Sequence, residues 1–184
     1  MKNESLFRYV MRLTLTLLII ATIVAAALAV VNRITKPIID RSTAEKTQKA
    51  IQLVLPGGYE EQITEFADET GLVTNVYKGA NGYAIEVAPA GFDSAITMMV
   101  GVDNEGKVLG ISIISHTESA GMGAIAAAAT SAGKAFRDQF VGLSGSVSVS
   151  KDGGTIDAIT NATITSRAVC DGVNAALACV AGLD

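Results

Sequence analysis

The sequence contains no tryptophan, and only five phenylalanines and four tyrosines among its 184 residues. Any hydrophobic core must therefore be built from small aliphatic side chains. Basic residues are also in deficit: 14 Lys and Arg face 18 Asp and Glu, a net charge of -4. Without a basic excess, nucleic acid is excluded as an expected partner.

Catalytic signatures are missing as well. The chain has one histidine, and it contains no Gly-rich phosphate loop, no nucleophile–histidine–acid set and no cluster of metal ligands. We therefore predict no metal site and no catalytic residues of its own. Any chemistry would have to come from a bound cofactor or a partner.

Only two cysteines are present, Cys170 and Cys179, nine residues apart in a predicted final helix. On a helix this spacing sets them on opposite faces and about 13 Å apart along the axis. They cannot form a disulfide within that helix, and the spacing matches no metal motif. Both are predicted to be small buried side chains.

A run of 19 residues without a charge, residues 13–31, is the most apolar part of the chain. As a helix it would span about 28 Å, close to the hydrocarbon thickness of a bilayer. A cleaved signal peptide is the alternative, because small residues occur near Ala27. The run is longer than the usual ~7–15 residues of such peptides, which favours an uncleaved anchor.

The remaining chain divides into a short N-terminal tail (1–12), a membrane-proximal helical linker (32–58) and a domain (59–184). Pro37 predicts an interruption where the chain leaves the membrane. Residues 43–55 then show helical spacing of apolar positions, and Pro56-Gly57-Gly58 predicts the end of that helix.

The domain itself is predicted to be α+β. Short β-type runs occur at 72–78, 83–88, 95–102 and 108–115. The turn at 79–82 joins the first two runs, and the turn at 103–106 joins the last two. The last three runs are expected to form an antiparallel meander. A helical stretch follows at 124–140, then a short strand around Val147 and Val149, and a final helix at 166–181. The architecture is a small antiparallel sheet covered by helices, attached to a single N-terminal transmembrane helix.

Four hydroxyl side chains fall within seven residues just before the final helix. They belong to Thr160, Thr163, Thr165 and Ser166. The cluster has two interpretations: plain helix capping, or presentation of a hydroxyl and free N–H groups to a phosphate. Three details weaken the capping interpretation. Capping needs only one hydroxyl, and the small, turn-permissive pair Asn161-Ala162 leaves the Thr163 hydroxyl accessible. Asp157, six residues upstream of Thr163, adds a carboxylate.

This segment, Asp157-x-x-Thr160-Asn161-Ala162-Thr163, resembles the flavinylation motif Asp-x-x-Ser/Thr-Gly-Ala-Thr. The resemblance implies that FMN is attached through its phosphate, as a phosphoester, to Thr163. Asp157, Thr160, Asn161 and Ala162 would be supporting residues of the motif. Asn161 replaces the usual glycine, and asparagine tolerates left-handed backbone conformations, so the turn can survive. The next hydroxyls, Thr165 and Ser166, are then expected to be helix caps.

A second segment, residues 116–123, resembles the His-x-Glu-Thr-Pro-Gly-Leu-Gly loop of the same family. The resemblance adds four candidate cofactor-binding residues: His116, Glu118, Gly121 and Gly123. From the residues alone, His116 could equally be a loop hydrogen-bonding group, Glu118 a solvated carboxylate, and the glycines turn residues. Gly82-Tyr83-Ala84 and residues 100–103 also occur in family order.

Together these segments make the chain similar to the G subunit of the Rnf complex, an ion-translocating ferredoxin:NAD oxidoreductase. The C subunit of the sodium-pumping NADH:quinone reductase is a related alternative. The resemblance implies a membrane-anchored electron-transfer subunit with covalent FMN. Its partners would be the other subunits of the complex, a flavin transferase for maturation and the lipid bilayer.

The resemblance also implies that the domain lies on the periplasmic or extracellular side of the cell membrane. The flanking charges lean slightly the other way, since three Lys and Arg precede the apolar run and five follow it closely. Two functions of other classes remain. A pilin-like structural protein is disfavoured because residues 13–31 contain no acidic residue, and a non-redox binding domain on a membrane stalk is a remote alternative.

Overall fold

The computed structural model describes residues 2–183, with side chains described from residue 7 onward. The first residue of the predicted tail and the last residue of the predicted domain therefore lie outside it. Contacts divide the chain into two compact units, one up to Ala44 and one from Glu45. The first is wholly helical in its described residues.

The first helix, α1 (Lys2–Val54), includes a stretch long and apolar enough to cross a membrane. Its large apolar side chains from Phe7 to Ile39 are exposed, as a lipid-facing helix requires. The predicted interruption at Pro37 is wrong, because α1 continues through it. Proline removes a single backbone hydrogen-bond donor. Ending the helix there would lose several backbone hydrogen bonds and would require a second helix to nucleate after the break. As predicted, the helix ends before Pro56, and Gly57 and Gly58 both adopt positive φ.

A single five-stranded sheet forms the centre of the second unit. Its strands are β1 (Glu61–Ile63), β2 (Val73–Gly79), β3 (Gly82–Val87), β4 (Thr97–Asp103) and β5 (Val108–Ser115). They lie in chain order, and every neighbouring pair is antiparallel. The predicted meander is therefore confirmed and extended by β2 and by the unpredicted β1.

Both faces of this sheet are covered. On one face, Val100 and Met98 belong to the main core together with Val169 and Val173 of the final helix. On the other face, Met99 belongs to a second cluster that includes the last two turns of α1. Most of the buried side chains are small aliphatics, as the scarcity of aromatic residues predicts. Each fully buried Val, Met or Ile contributes about 1.5–3 kcal/mol.

The predicted helix at 124–140 is only partly correct. A 3₁₀ helix (Gly123–Ala127) and α2 (Ser131–Asp138) occupy this stretch, with a break between them. Thr130 caps α2, since its hydroxyl accepts a hydrogen bond from Gly133 N at 3.3 Å. Arg137 Nη1 donates to the carbonyls of Ala126 (2.6 Å) and Ala128 (3.0 Å), which satisfies groups that a continuous helix would have used.

The predicted short strand at Val147 and Val149 is also wrong. Val149 instead forms a single parallel bridge with Ile156. The residues between them contain a second 3₁₀ helix (Ser150–Asp152), which ends at Gly153 with φ 86°. This loop, closed by the parallel bridge, comes shortly before the hydroxyl cluster.

The last helix, α3 (Thr163–Ala181), begins three residues earlier than predicted. It packs on the main core face and includes both cysteines, which are free and buried, as predicted. Burial raises the pKa of the Cys170 thiol to about 12 and also raises the pKa of Cys179. Neither thiol is therefore suited to reaction or to metal binding.

Candidate functional site

A cavity of about 390 Å³ opens at the start of α3. Four separate segments supply its walls: the loop between β3 and β4, the loop after β5, the second 3₁₀ helix and the hydroxyl cluster. The lining residues are Phe92, Glu118, Ser119, Met122, Gly123, Lys151, Asn161, Ala162, Thr163, Ile164 and Thr165.

Thr163 is the first residue of α3 and is half-buried in this wall. Its hydroxyl oxygen accepts a hydrogen bond from Lys151 Nζ at 3.2 Å. No side chain caps α3, and among the groups that the structure describes no acceptor lies on the N–H groups of Thr163, Ile164 and Thr165. Free N–H groups, the positive end of the helix dipole and a lysine therefore converge at one hydroxyl. Such an arrangement favours a bound anion.

Asn161 produces the sharp turn that precedes the helix. Its φ is 61°, and it is the one non-glycine residue with positive φ in the described part of the chain. The expectation that asparagine can replace glycine at this turn is confirmed. Ala162 follows it and is buried, so the turn brings Thr163 to the cavity wall.

The prediction that Thr165 and Ser166 cap the helix is wrong, because both hydroxyls point into the interior. Ser166 Oγ donates to the carbonyl of Ala162 at 2.9 Å and accepts from Ile159 N at 3.0 Å. These bonds fix the loop before the helix. Thr165 Oγ1 donates to Glu118 Oε2. Since α3 begins at Thr163, both residues lie inside its first turn and not before it.

Glu118 ties together three parts of the cavity. Its side chain is only 7% exposed. Oε1 accepts hydrogen bonds from Phe92 N (2.8 Å) and Asp93 N (3.3 Å), while Oε2 accepts from Thr165. The interpretation as a solvated loop carboxylate is therefore excluded. Glu118 orients the loop that presents Phe92.

The two glycines of this loop behave differently. A Cβ at Gly123 would lie 2.5 Å from Glu118 Oε2 and 2.6 Å from Thr165 Oγ1, so a larger residue would break that contact. Gly121 has φ 77° and no atom near its Cβ position. It is exposed, serves the turn and does not line the cavity.

Three other predicted site residues also lie away from the cavity wall. Asp157 is exposed, and Gln139 holds its backbone, accepting from Asp157 N at 2.7 Å and donating to its carbonyl at 3.3 Å. Thr160 is exposed. His116 is half-buried, and its Nδ1 is buried without a hydrogen-bond partner among the groups that the structure describes. The predicted residues that the cavity does bring together are Glu118, Gly123, Asn161, Ala162 and Thr163.

Sequence reasoning missed Lys151 and the apolar rim. Lys151 is the one cation between Arg137 and Arg167, and a phosphate site needs a cation, so a signal was available. The rim consists of exposed side chains at the cavity: Phe92 (68% exposed), Met122 (42%) and Ile164 (50%). No sequence pattern joins these three, because they come from distant loops.

Fold and site thus define a class of protein: a small α+β domain that can hold a phosphorylated, partly apolar cofactor at a helix start. Its described residues also include one helix of membrane-spanning type. The family model for the FMN-binding domain matches residues 91–178. That range contains the whole cavity wall.

Similar proteins identify the family more narrowly. The chain is 30% identical to the G subunit of the Na(+)-translocating ferredoxin:NAD(+) oxidoreductase complex of Acetobacterium woodii, covering 91% of this chain and 90% of that one. The G subunits of the ion-translocating oxidoreductase complexes of Methanosarcina acetivorans (29%, covering 90% and 92%) and Pseudomonas aeruginosa (30%, covering 92% and 88%) are also similar. The chain belongs to this family of G subunits, whose complexes are redox translocases. Family and apolar helix together indicate membrane anchoring.

Proposed function

We propose that this chain carries FMN as a phosphoester on Thr163 and exchanges electrons within an Rnf-type ion-translocating complex. The observation that carries the proposal is the environment of the Thr163 hydroxyl. It lies at the start of α3, beside Lys151 Nζ at 3.2 Å and on the wall of the 390 Å³ cavity. A hydroxyl in this setting is accessible to a phosphorus atom. The lysine and the helix start would stabilise the negative charge of the phosphate bound to it.

The residues present fit both halves of the cofactor. A phosphodiester would meet the ammonium of Lys151 and the free N–H groups of the first turn of α3. An isoalloxazine ring needs an apolar surface, which Phe92, Met122 and Ile164 provide. When bound, FMN supplies reversible electron transfer at its ring. Attachment through phosphate leaves the ring unmodified, so surrounding residues control its potential.

The linkage constrains the donor of the flavin. The bond that forms joins Thr163 Oγ1 to phosphorus, and the hydroxyl proton is lost to a base of the flavin transferase. A second P–O bond must break, and the phosphate of free FMN has no good leaving group. A flavin dinucleotide meets this need, because its nucleoside monophosphate leaves with the electron pair of the broken bond. The maturation partner is therefore a transferase that uses such a dinucleotide.

The attachment is tested by expressing the full chain with a flavin transferase and viewing a denaturing gel under ultraviolet light. The wild-type band should fluoresce, and Thr163→Ala should abolish the signal. Thr155→Ala is the matched control, because its hydroxyl is exposed nearby but outside the cavity. A dark wild-type band beside an active transferase refutes the proposal. Fluorescence that persists in Thr163→Ala refutes the site and directs the search to Thr160 and Thr165.

We further propose that the domain lies on the periplasmic or extracellular side, where a covalent bond prevents loss of a cofactor that cannot be replaced. Ser144 is exposed, whereas both native cysteines are buried. A Ser144→Cys variant should therefore react with a membrane-impermeant maleimide in intact cells, or in spheroplasts where an outer membrane is present, and the wild type should not. Labelling only after lysis would place the domain in the cytoplasm.

A further inference from the structure

Lys151 is exposed, and its ammonium group makes one specific contact on the cavity wall. Its Nζ donates to Thr163 Oγ1, the atom that would attack phosphorus. Among the side chains described from residue 7 onward and the described backbone, no other acceptor or carboxylate lies on this ammonium group, so its remaining N–H bonds are free for phosphoryl oxygens. The one carboxylate on the cavity wall, Glu118, is already engaged by three donors.

The backbone around Lys151 holds it in place. Ser150 N donates to the carbonyl of Ile156 at 2.8 Å, and Asp152 N donates to that of Val149 at 2.9 Å. Both bonds fix the short 3₁₀ helix that contains the lysine.

An ion pair then joins this turn to α3. Arg167 Nε donates to Asp152 Oδ2 at 2.6 Å, and Arg167 Nη2 donates to Asp152 Oδ1 at 2.7 Å. Asp152 follows Lys151 directly, and Arg167 lies one helical turn after Thr163. A two-bond pair of this kind fixes both distance and orientation. It therefore fixes the turn that carries Lys151 against the turn that carries Thr163.

We propose that Lys151 is a catalytic residue for flavin attachment and that the Asp152–Arg167 pair positions it. The inference rests on the proposed phosphoester at Thr163. As Oγ1 forms its bond to phosphorus and the nucleotide leaves, Lys151 stabilises the charge on the phosphoryl oxygens. In the product, its single positive charge matches the single negative charge of the phosphodiester.

The test is the initial rate of flavin incorporation into the full-length chain, with purified flavin transferase and flavin adenine dinucleotide. Lys151→Met should lower the rate at saturating acceptor protein about 10- to 100-fold, because donors aimed at developing oxyanion charge are worth up to about 10²–10³ and this one is partly screened by water. Lys151→Arg should restore most of the rate. Lys134→Met is the control, since that exposed lysine pairs with Asp138 away from the cavity.

Each outcome is decisive. A wild-type rate in Lys151→Met, with no labelling of Thr163→Ala, overturns the role of Lys151 and leaves the proposed attachment intact. Labelling of Thr163→Ala overturns the attachment site itself. A defect confined to KM, or one that Lys151→Arg does not repair, would mean that the lysine docks the transferase or packs the loop instead. Circular dichroism of Lys151→Met should match the wild type.

The positioning role has its own readout. Asp152→Asn removes the charge that orients the turn and should lower the rate about 3- to 10-fold. In a Lys151→Met background the same substitution should cause no further loss, because the pair acts only through the lysine. Independent, multiplicative losses in the double variant would show that Asp152 acts in another way.

Discussion

Removing the Glu118 carboxylate should loosen the cavity without unfolding the chain. Its buried carboxylate accepts from Phe92 N and Thr165 Oγ1, while the third contact, with Asp93 N, is longer at 3.3 Å. Hydrogen bonds to charged groups are worth roughly 1.5–3 kcal/mol each. Phe92 and Asp93 are exposed, so their N–H groups regain water when the carboxylate is lost.

Thr165 cannot regain water so easily, because it is only 2% exposed. Its stranded hydroxyl accounts for about 1–3 kcal/mol, and the lost loop contacts for about 1–2 kcal/mol more. We therefore expect Glu118→Ala to lower the free energy of unfolding by about 3 kcal/mol. Glu118→Gln should lower it by roughly half as much, since its amide can still bond both sides.

Urea unfolding of the full chain in detergent, followed by near-ultraviolet circular dichroism, measures this loss. Amide hydrogen exchange provides the local readout, because the N–H groups of Phe92 and Asp93 should exchange faster in both variants. Glu105→Ala is the control: that side chain is 74% exposed and pairs only with Lys107. If Glu118→Ala unfolds within about 0.5 kcal/mol of the wild type, or if the two amides exchange unchanged, the assignment of Glu118 as the tie between these loops is refuted.

Three further predictions concern other parts of the domain. Asn161→Gly should leave the free energy of unfolding nearly unchanged, whereas Asn161→Val should lower it by about 1–3 kcal/mol because a β-branched residue resists φ near 61°. Equal urea unfolding midpoints for the two variants would contradict this. Cys170, with a pKa of about 12, has roughly one part in ten thousand thiolate at pH 8. Cys170 and Cys179 should therefore react with Ellman's reagent only after denaturation. Rapid labelling of the native protein would show that these thiols are accessible to solvent. Hydrogen bonding to Arg167 lowers the pKa of the Asp152 carboxyl below its ordinary 3.8. The ion pair should thus be complete above that pH and lost only as pH falls through the lowered pKa. A carbon NMR titration of the Asp152 carboxyl checks this. A wild-type titration midpoint at the ordinary pKa of an aspartate would argue against the ion pair in solution.

The strands were predictable because alternation and tight turns are local signals, and 83–88, 95–102 and 108–115 each overlap a strand. The helices were harder where distant groups decide the ends. Arg137 satisfies the carbonyls of Ala126 and Ala128, so a helix-forming stretch breaks between its 3₁₀ and α segments. No composition rule contains that contact.

The site divides in the same way. Thr163 and Asn161 could be found from the sequence because the motif is continuous and the left-handed turn has a residue preference. Phe92 could not be joined to them, since it lies on the loop between β3 and β4, far away along the chain. Lys151 offered only the weaker signal of being the one cation between Arg137 and Arg167. Even Thr165 was misassigned as a cap, because its true partner, Glu118, is 47 residues away.

The last two turns of α1 belong to the fold as much as to the anchor. Four side chains at this end of the helix are buried against the second face of the sheet: Ala50, Ile51, Val54 and Leu55. A soluble fragment that starts at Tyr59 would therefore expose that face to water and be prone to aggregate, whereas one that starts near Glu45 keeps it covered. A protease that cut just before Glu45 would release an intact domain from the membrane. A cut after Leu55 would instead leave part of its hydrophobic core behind in the bilayer-bound stump.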